Sequence, residues 1–308
     1  MLVIGFVLAT TVGALWAKRL GHDPDVIVDL GIVMLIAGLV GARLAHVLFD
    51  GFFWDYVHLC TDPSKVEWRI SEVECLRRVE PDLFGCGRSG ALGIWDASRQ
   101  LCRPAESDCF AWAGVSGGLT YYGGFIGATI VGYFRLKKDR FPFFRAADMA
   151  GFSIALGLAF GRMGCLLAGC CFGRPLDAPW AIVFPQFSPA AEKQAQLGLI
   201  ASSHQHSLSV HPTQLYESAG ALAIAAFLML YVHPRKRYDG QVFVAFVGLY
   251  ATLRFCLEFF RSDDRGGLFG LSTSQIIGLI LTSLAVLVHR WLARRSHDDF
   301  DVRPTNAV

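Results

Sequence analysis

Residues 26–49 read VIVDLGIVMLIAGLVGARLAHVLF. A helix needs roughly 20 mostly apolar residues to cross the hydrocarbon core of a bilayer. This run supplies them, with Asp29, Arg43 and His46 as its only ionisable side chains. Working outward, the same reading finds further stretches near 1–17, 113–135, 146–171, 214–232, 240–260 and 268–289. About seven spanning helices make the chain an all-α polytopic membrane protein. The first stretch is short, but it has no basic n-region and no small-residue cleavage site, and more spans follow. It therefore reads as a helix rather than a signal peptide.

Composition agrees. Of 308 residues, 53% are hydrophobic and 18% charged, whereas a soluble domain runs at about 45–50% apolar and about 25% charged. Disorder, a coiled coil and an ordinary cytosolic enzyme are excluded, and a net charge of +2 gives no reason to expect a nucleic-acid partner. The 24 Phe and 32 Gly suit helices closely packed in lipid.

Basic residues sort the connections. Lys18 and Arg19 follow the first span, Lys137, Lys138 and Arg140 the third, Arg235, Lys236 and Arg237 the fifth, and Arg290, Arg294 and Arg295 the seventh. Clusters at every second loop are cytoplasmic by the positive-inside rule. The expected topology has the N-terminus outside and the C-terminus cytoplasmic. One transmembrane domain then covers 1–295, with a polar, disordered cytoplasmic tail at 296–308. Two polar segments fall on the outer side, at about 50–112 and 172–213. The first is an extracytoplasmic insertion carrying Cys60, Cys75, Cys86, Cys102 and Cys109. An outer location permits disulfides, and two bridges with one free thiol is the expectation, although spacing does not give the pairing.

Ionisable residues within spans are functional hypotheses by default. Arg43 lies in the second span and Arg162 in the fourth. The sixth carries Tyr250, Arg254, Glu258 and Arg261, whose spacing places them on one helical face. By the topology above, Arg162, Arg254, Glu258 and Arg261 sit in the outer halves of their helices, as do Tyr122 and His211 near outer helix ends. One cationic cavity at headgroup depth is expected, and arginine forks suit an anionic phosphate. That cavity is a phospholipid site. The bland alternative is an ion pair of Glu258 with Arg254 or Arg261. The stretch Gly117-Gly118-Leu-Thr-Tyr121-Tyr122-Gly123-Gly124 either unwinds to admit a ligand or serves close helix packing.

Several of these motifs together resemble the bacterial prolipoprotein diacylglyceryl transferases. Gly41-Ala-Arg43-Leu-Ala-His-Val-Leu-Phe49 looks like that family's GARLGYVLFY element, and 117–124 resembles its GG-x-S-F-H-G-G segment. Gly161-Arg162-Met-Gly164-Cys165-Leu-Leu-Ala-Gly169-Cys170-Cys171-Phe172-Gly173-Arg174 is similar to the signature GRIGNFINGELWGR. Residues 179–185 and 211–217 resemble PWGVVFP and HPSQLYE, and the sixth span resembles Y-x3-R-x3-E-x2-R. The resemblance covers nearly all of the chain outside 50–112.

It implies transfer of a diacylglyceryl group from phosphatidylglycerol to the lipobox cysteine of a preprolipoprotein signal peptide. The products are a thioether and glycerol phosphate. The implied setting is the bacterial cytoplasmic (inner) membrane, with the active site toward the outer leaflet and membrane lipids as surroundings. No cofactor, metal or nucleic acid is implied. Arg162 and Arg254 match the family's two essential arginines and are assigned to the phosphate, with Tyr122 at the position of its proposed basic histidine. Arg43, Gly123, Gly124, Gly173, His211, Gln214, Tyr216, Glu217, Tyr250, Glu258 and Arg261 match its substrate-binding network.

The chain departs from the family at three of these positions, with Tyr122 for histidine, Cys165 for the signature asparagine and Cys170 for its glutamate. A tyrosine of pKa about 10 is a poor base toward a thiol of about 8.5. Cys165, Cys170 and Cys171 have no metal-site spacing and, five apart on one helix, read as small packing residues. Two other functions stay open at this point. One is a diverged paralogue using the same lipid cavity with another acceptor. The other is a non-catalytic lipid-binding protein.

Overall fold

The computed structural model describes residues 1–51, 53–67, 93–104, 107, 109, 120–261, 267–268 and 270–301. Cys75, Cys86, Gly117 and Gly118 lie outside the described residues. In chain order the helices are α1 (Leu2–Arg19), α2 (Pro24–Phe49), α3 (Phe53–Thr61), α4 (Tyr121–Lys138), α5 (Phe143–Ala168), α6 (Pro189–Gln196), α7 (Thr213–Phe227), α8 (Gln241–Glu258) and α9 (Thr273–Asp301). Two small antiparallel hairpins join them: β1 (Gly93–Asp96) with β2 (Leu101–Pro104), and β3 (Gly267–Leu268) with β4 (Leu271–Ser272).

The protein is mostly helical, and 6 helices are long and apolar enough to cross a membrane. They are α1, α2, α5, α7 extended to Arg235, α8, and α9 as far as Arg294. The stretch expected at 113–135 is described only from Tyr121, as α4, whose last turn carries Arg135, Lys137 and Lys138. Helix α9 runs on through Asp301, so residues 296–301 are helical rather than disordered, and 302–308 lie outside the described residues. An apolar span that leaves lipid keeps its backbone bonds when polar residues follow without a helix breaker. Between 11% and 39% of each spanning stretch is buried against protein. The remaining face, with Leu230, Ile280 and Leu287 exposed, suits lipid as its solvent.

The sequence reads as one continuous domain, but its contacts divide into two compact units, Met1–Asp29 with Leu136–Val308, and Leu30–Arg135. In the first, α5 touches α1, α7 and α8, and α9 lies along α8. Helix α5 admits these neighbours because its buried face is small, with Gly151, Ala155 and Ala159. A Cβ at Gly151 would stand 3.3 Å from the Val242 carbonyl oxygen. Phe152, Leu228 and Val242 fill the core between the helices.

The N-terminus of α8 has no side-chain cap of its own. Asp148 of α5 supplies one. Its Oδ1 accepts from the backbone N–H of Val242 at 2.8 Å and Phe243 at 3.3 Å, and its Oδ2 accepts from Gly240 N–H at 3.0 Å and Lys236 Nζ at 2.8 Å. Burial pulls Lys236 down, but hydrogen bonds to Asp148 and Asp239 outweigh it and hold the ammonium above its ordinary pKa. Burial raises Asp239, yet its bonds to Lys236 and Arg145 leave it below the usual carboxylate value. Lys236 therefore contributes below about pH 10.4 and loses its share as pH rises through its raised value. Asp239 contributes above about pH 3.9 and loses its share as pH falls through its lowered value. Replacing Asp148 with alanine strips the cap and leaves Lys236 with Asp239 alone. Destabilisation of about 3–5 kcal/mol is expected, read as an earlier thermal unfolding transition in detergent. An unchanged transition would contradict the capping role.

In the second unit, α2 and α4 meet along glycines. A Cβ on Gly41 would lie 2.5 Å from the Gly123 carbonyl oxygen, one on Gly124 3.0 Å from that of Gly38, and one on Gly127 2.9 Å from that of Ala37. A Cβ on Gly123 would collide with Ala45 and the Gly41 carbonyl. Of the two readings of the glycine-rich stretch, close packing accounts for Gly123 and Gly124, which lie in unbroken helix. Thr120, just ahead of α4, donates to Asp50 at 2.5 Å. Cys60 and Cys109 form a disulfide, and Cys102 is disulfide-bonded as well.

Candidate active site

Helix α7 begins with a run that is polar on the side meeting α5: Thr213, Gln214, Glu217 and Ser218 are all buried. Each finds a partner. Ser218 donates to the Ala159 carbonyl of α5 at 2.9 Å, Gln214 Nε2 to that of Cys170 at 2.7 Å, and Thr213 to that of Cys171 at 2.7 Å. Buried polar groups need such pairing, and here it docks α7 on the end of α5 and the turn that follows.

Glu217 is the hub. Its side chain is 2% exposed. Oε1 accepts from the Tyr250 hydroxyl at 2.7 Å. Oε2 accepts from Arg254 Nη1 at 3.1 Å and forms an ion pair with Arg162, whose Nε lies 3.0 Å away. Three helices, α5, α7 and α8, thus place two arginines and a tyrosine on one carboxylate. Arg254 Nη2 lies 3.7 Å from Glu258, whose Oε2 has no hydrogen-bond partner among the described residues. The intrahelical pair exists, but Arg254 makes its shorter contact across to α7. Arg162 approaches Glu217 through Nε and stays 21% exposed, so its guanidinium is accessible to a second anion. Three arginines, counting Arg261, against two glutamates leave this cluster one formal positive charge.

The outer edge of the site is knitted by backbone. Helix α5 stops at Gly169, φ +68°, with the Cys170 N–H donating back to the Cys165 carbonyl at 3.1 Å. Cys171 is also left-handed, at φ +60°, unusual for a residue with a Cβ. Gly173 then donates to the His211 carbonyl at 3.0 Å and pairs with Arg261, while Arg174 N–H donates to the Phe260 carbonyl at 2.8 Å. A Cβ at Gly173 would stand 2.5 Å from both His211 Cβ and the Phe260 oxygen, so only glycine lets the three segments close. The rings of His211, Tyr216 and Phe260 pack against one another, with His211 Nδ1 3.4 Å from the Tyr216 hydroxyl.

Arg261 is not on the α8 face. The helix ends at Glu258, and Arg261 follows a turn. It is 3% exposed and lies beside the Cys171 thiol. The expectation about the cysteines fails for the same kind of reason. With α5 ending at Ala168, Cys170 and Cys171 fold back, and the sulfurs of Cys165, Cys170 and Cys171 lie within 4.8 Å of one another.

The first unit therefore brings together Arg162, Arg254, Glu217, Tyr250, Glu258, Arg261, Gly173, His211, Gln214 and Tyr216. Arg43 and Tyr122 belong to the second unit, with Gly123 and Gly124. Arg43 is buried there, its guanidinium 5.2 Å from the Tyr56 ring centroid, and Tyr122 is exposed in the first turn of α4. Thr213, Ser218 and Phe260 hold the site without having been singled out in the sequence. A buried polar pair flanking Glu217 was the available signal.

Comparison with known proteins follows this geometry. The family model described as prolipoprotein diacylglyceryl transferase matches residues 1–70 and 106–291. The stretch between falls in the Cys-bearing segment. A phosphatidylglycerol–prolipoprotein diacylglyceryl transferase of Corynebacterium diphtheriae is 30% identical over 285 residues, 92% of this chain and 84% of the relative. One of Clostridium tetani is 28% identical over 288 residues, 94% and 89% of the two chains. One of Dehalococcoides mccartyi is 36% identical over 169 residues, 55% and 59%.

Proposed function

The chain belongs to the prolipoprotein diacylglyceryl transferase family, and on that premise we propose that it transfers a diacylglyceryl group from phosphatidylglycerol to a prolipoprotein cysteine thiol. The acceptor is the lipobox cysteine of a signal peptide. One observation carries the assignment to this site: Arg162 and Arg254 converge on buried Glu217 inside a bundle of spanning helices.

The thiolate sulfur attacks the glycerol carbon that bears the phosphate ester. A C–S bond forms, the C–O bond breaks, and the electron pair leaves on oxygen as glycerol phosphate. The departing group goes from a singly charged diester to a more highly charged monoester. Stabilisation must therefore grow along the reaction, which is what a fixed guanidinium supplies in a low-dielectric setting. Arg162 meets the phosphate through the terminal amines of its guanidinium. Arg254, committed to Glu217 and Glu258, positions Glu217, and Tyr250 fixes the other carboxylate oxygen.

We place the site toward the outer leaflet of the bacterial inner membrane, with the N-terminus outside. The Cys60–Cys109 disulfide supports an oxidising location for the segment after α2. In spheroplasts, a membrane-impermeant maleimide is expected to label Cys60 and Cys109 only after reduction, without opening the membrane. Labelling that requires permeabilisation would reverse the orientation. The function itself is tested by complementation of a bacterium depleted of its own transferase. Restored growth with diacylglyceryl-modified lipoproteins is expected. Unmodified precursors, with the protein stably inserted, would contradict the assignment.

A further inference from the structure

Three thiols that the transfer reaction does not use converge beside the arginine cluster. Cys165 lies in the last turn of α5, and Cys170 and Cys171 follow the reversal at Gly169. All three are half-buried, so solvent reaches them. The turn that gathers them is held from outside, because Gln214 and Thr213 donate to the carbonyls of Cys170 and Cys171.

We propose that Cys165, Cys170 and Cys171 form a binding site for a soft, thiophilic d10 metal ion of the Cu(I) or Zn(II) class, held by three thiolates. Metal–sulfur bonds of about 2.3 Å put ligand sulfurs about 3.8–4.0 Å apart in tetrahedral or trigonal arrangements. The present sulfurs, within 4.8 Å of one another, reach that spacing with small side-chain rotations. Three thiolates this close repel, and a cation between them removes the repulsion. The complex keeps a net negative charge, which the neighbouring guanidinium groups of Arg261 and Arg162 offset. An all-sulfur donor set selects soft ions over magnesium or calcium. The buried carboxylate of Glu217 is already committed to Arg162, Arg254 and Tyr250.

The full chain, purified reduced in detergent, is titrated with Cd(II) as the spectroscopic probe. One ion per chain is expected, with a sulfur-to-cadmium charge-transfer absorption that Zn(II) displaces. Peptide mass spectrometry after alkylation should then show Cys165, Cys170 and Cys171 protected by the metal and Cys256 still modified. C165A and C171A should each lose the absorption, and C256A should keep it. The alkylation pattern is read on the unaltered protein, so it stands even where a variant fails to fold. Absence of the absorption with all three thiols reduced would overturn the site. So would equal cadmium binding by the variant C165A/C170A/C171A.

Discussion

Replacing Arg162 with alanine is expected to lower kcat by about 10²–10³-fold, the loss seen when one preorganised donor to a developing oxyanion is removed. The fold should stand. Glu217 still accepts from Arg254 and Tyr250, so no buried carboxylate is stranded. Arg162→Lys keeps the charge but not the planar fork, and should recover only part of the rate. Arg254→Ala should reduce kcat comparably by a different route, because its guanidinium lies against Glu217 and Glu258. The two roles separate in a double-mutant cycle. Arg254→Ala and Glu217→Gln act through the same carboxylate, so together they should cost little more than either alone. Kinetics with phosphatidylglycerol and a lipobox peptide measure this. An Arg162→Ala enzyme that keeps its rate would remove the phosphate assignment.

Glu217→Ala should be the most destabilising substitution at the site. It removes the shared partner of two arginines and a tyrosine from a position 2% exposed and leaves two arginines among apolar helices. Removing one partner of a buried pair costs about 3–5 kcal/mol. Much of the variant should fail to insert stably or unfold early in detergent. Glu217→Gln is the informative companion. It keeps the volume and an oxygen for Tyr250, so the protein folds, but the charge that orders both arginines is gone. Misplacement of a reacting group by about 1 Å costs on the order of 10²-fold, and kcat should fall by that order. KM for the anionic lipid should hold or fall, since the cluster gains net positive charge. Loss of lipid binding with kcat intact would reverse the assignment, making Glu217 a lipid contact.

The spans were legible because lipid demands long apolar runs, and 26–49 shows its helix as Pro24–Phe49. The sixth span was similarly close, at Gln241–Glu258 against 240–260. Its end was not. Periodicity carried Arg261 onto the helical face, whereas the backbone turns at Phe259 and Phe260 and pairs Arg261 with Gly173. Nothing local announces that pairing, which depends on a segment far back in the chain. Glu217 shows the same limit. It stood out as part of a loop-to-helix motif, but its partners at 162, 250 and 254 come from other helices, and only the fold joins them. The clustering of the cysteines is invisible in the sequence because the apolar pattern continues as helix where Gly169 turns left-handed. Glycine in a membrane span has two uses, and a single sequence does not distinguish a packing glycine at 123 from a helix-ending one at 169.

The central claim is that the Glu217-held arginines run a lipid-to-thiol transfer. It is tested most directly by incubating the purified chain with phosphatidylglycerol and a lipobox peptide, then analysing the peptide by mass spectrometry. A diacylglyceryl thioether on the cysteine and released glycerol phosphate are expected, with the folded Arg162→Ala variant forming both about 10²–10³-fold more slowly. An unmodified peptide from wild-type protein that still binds the lipid would contradict it.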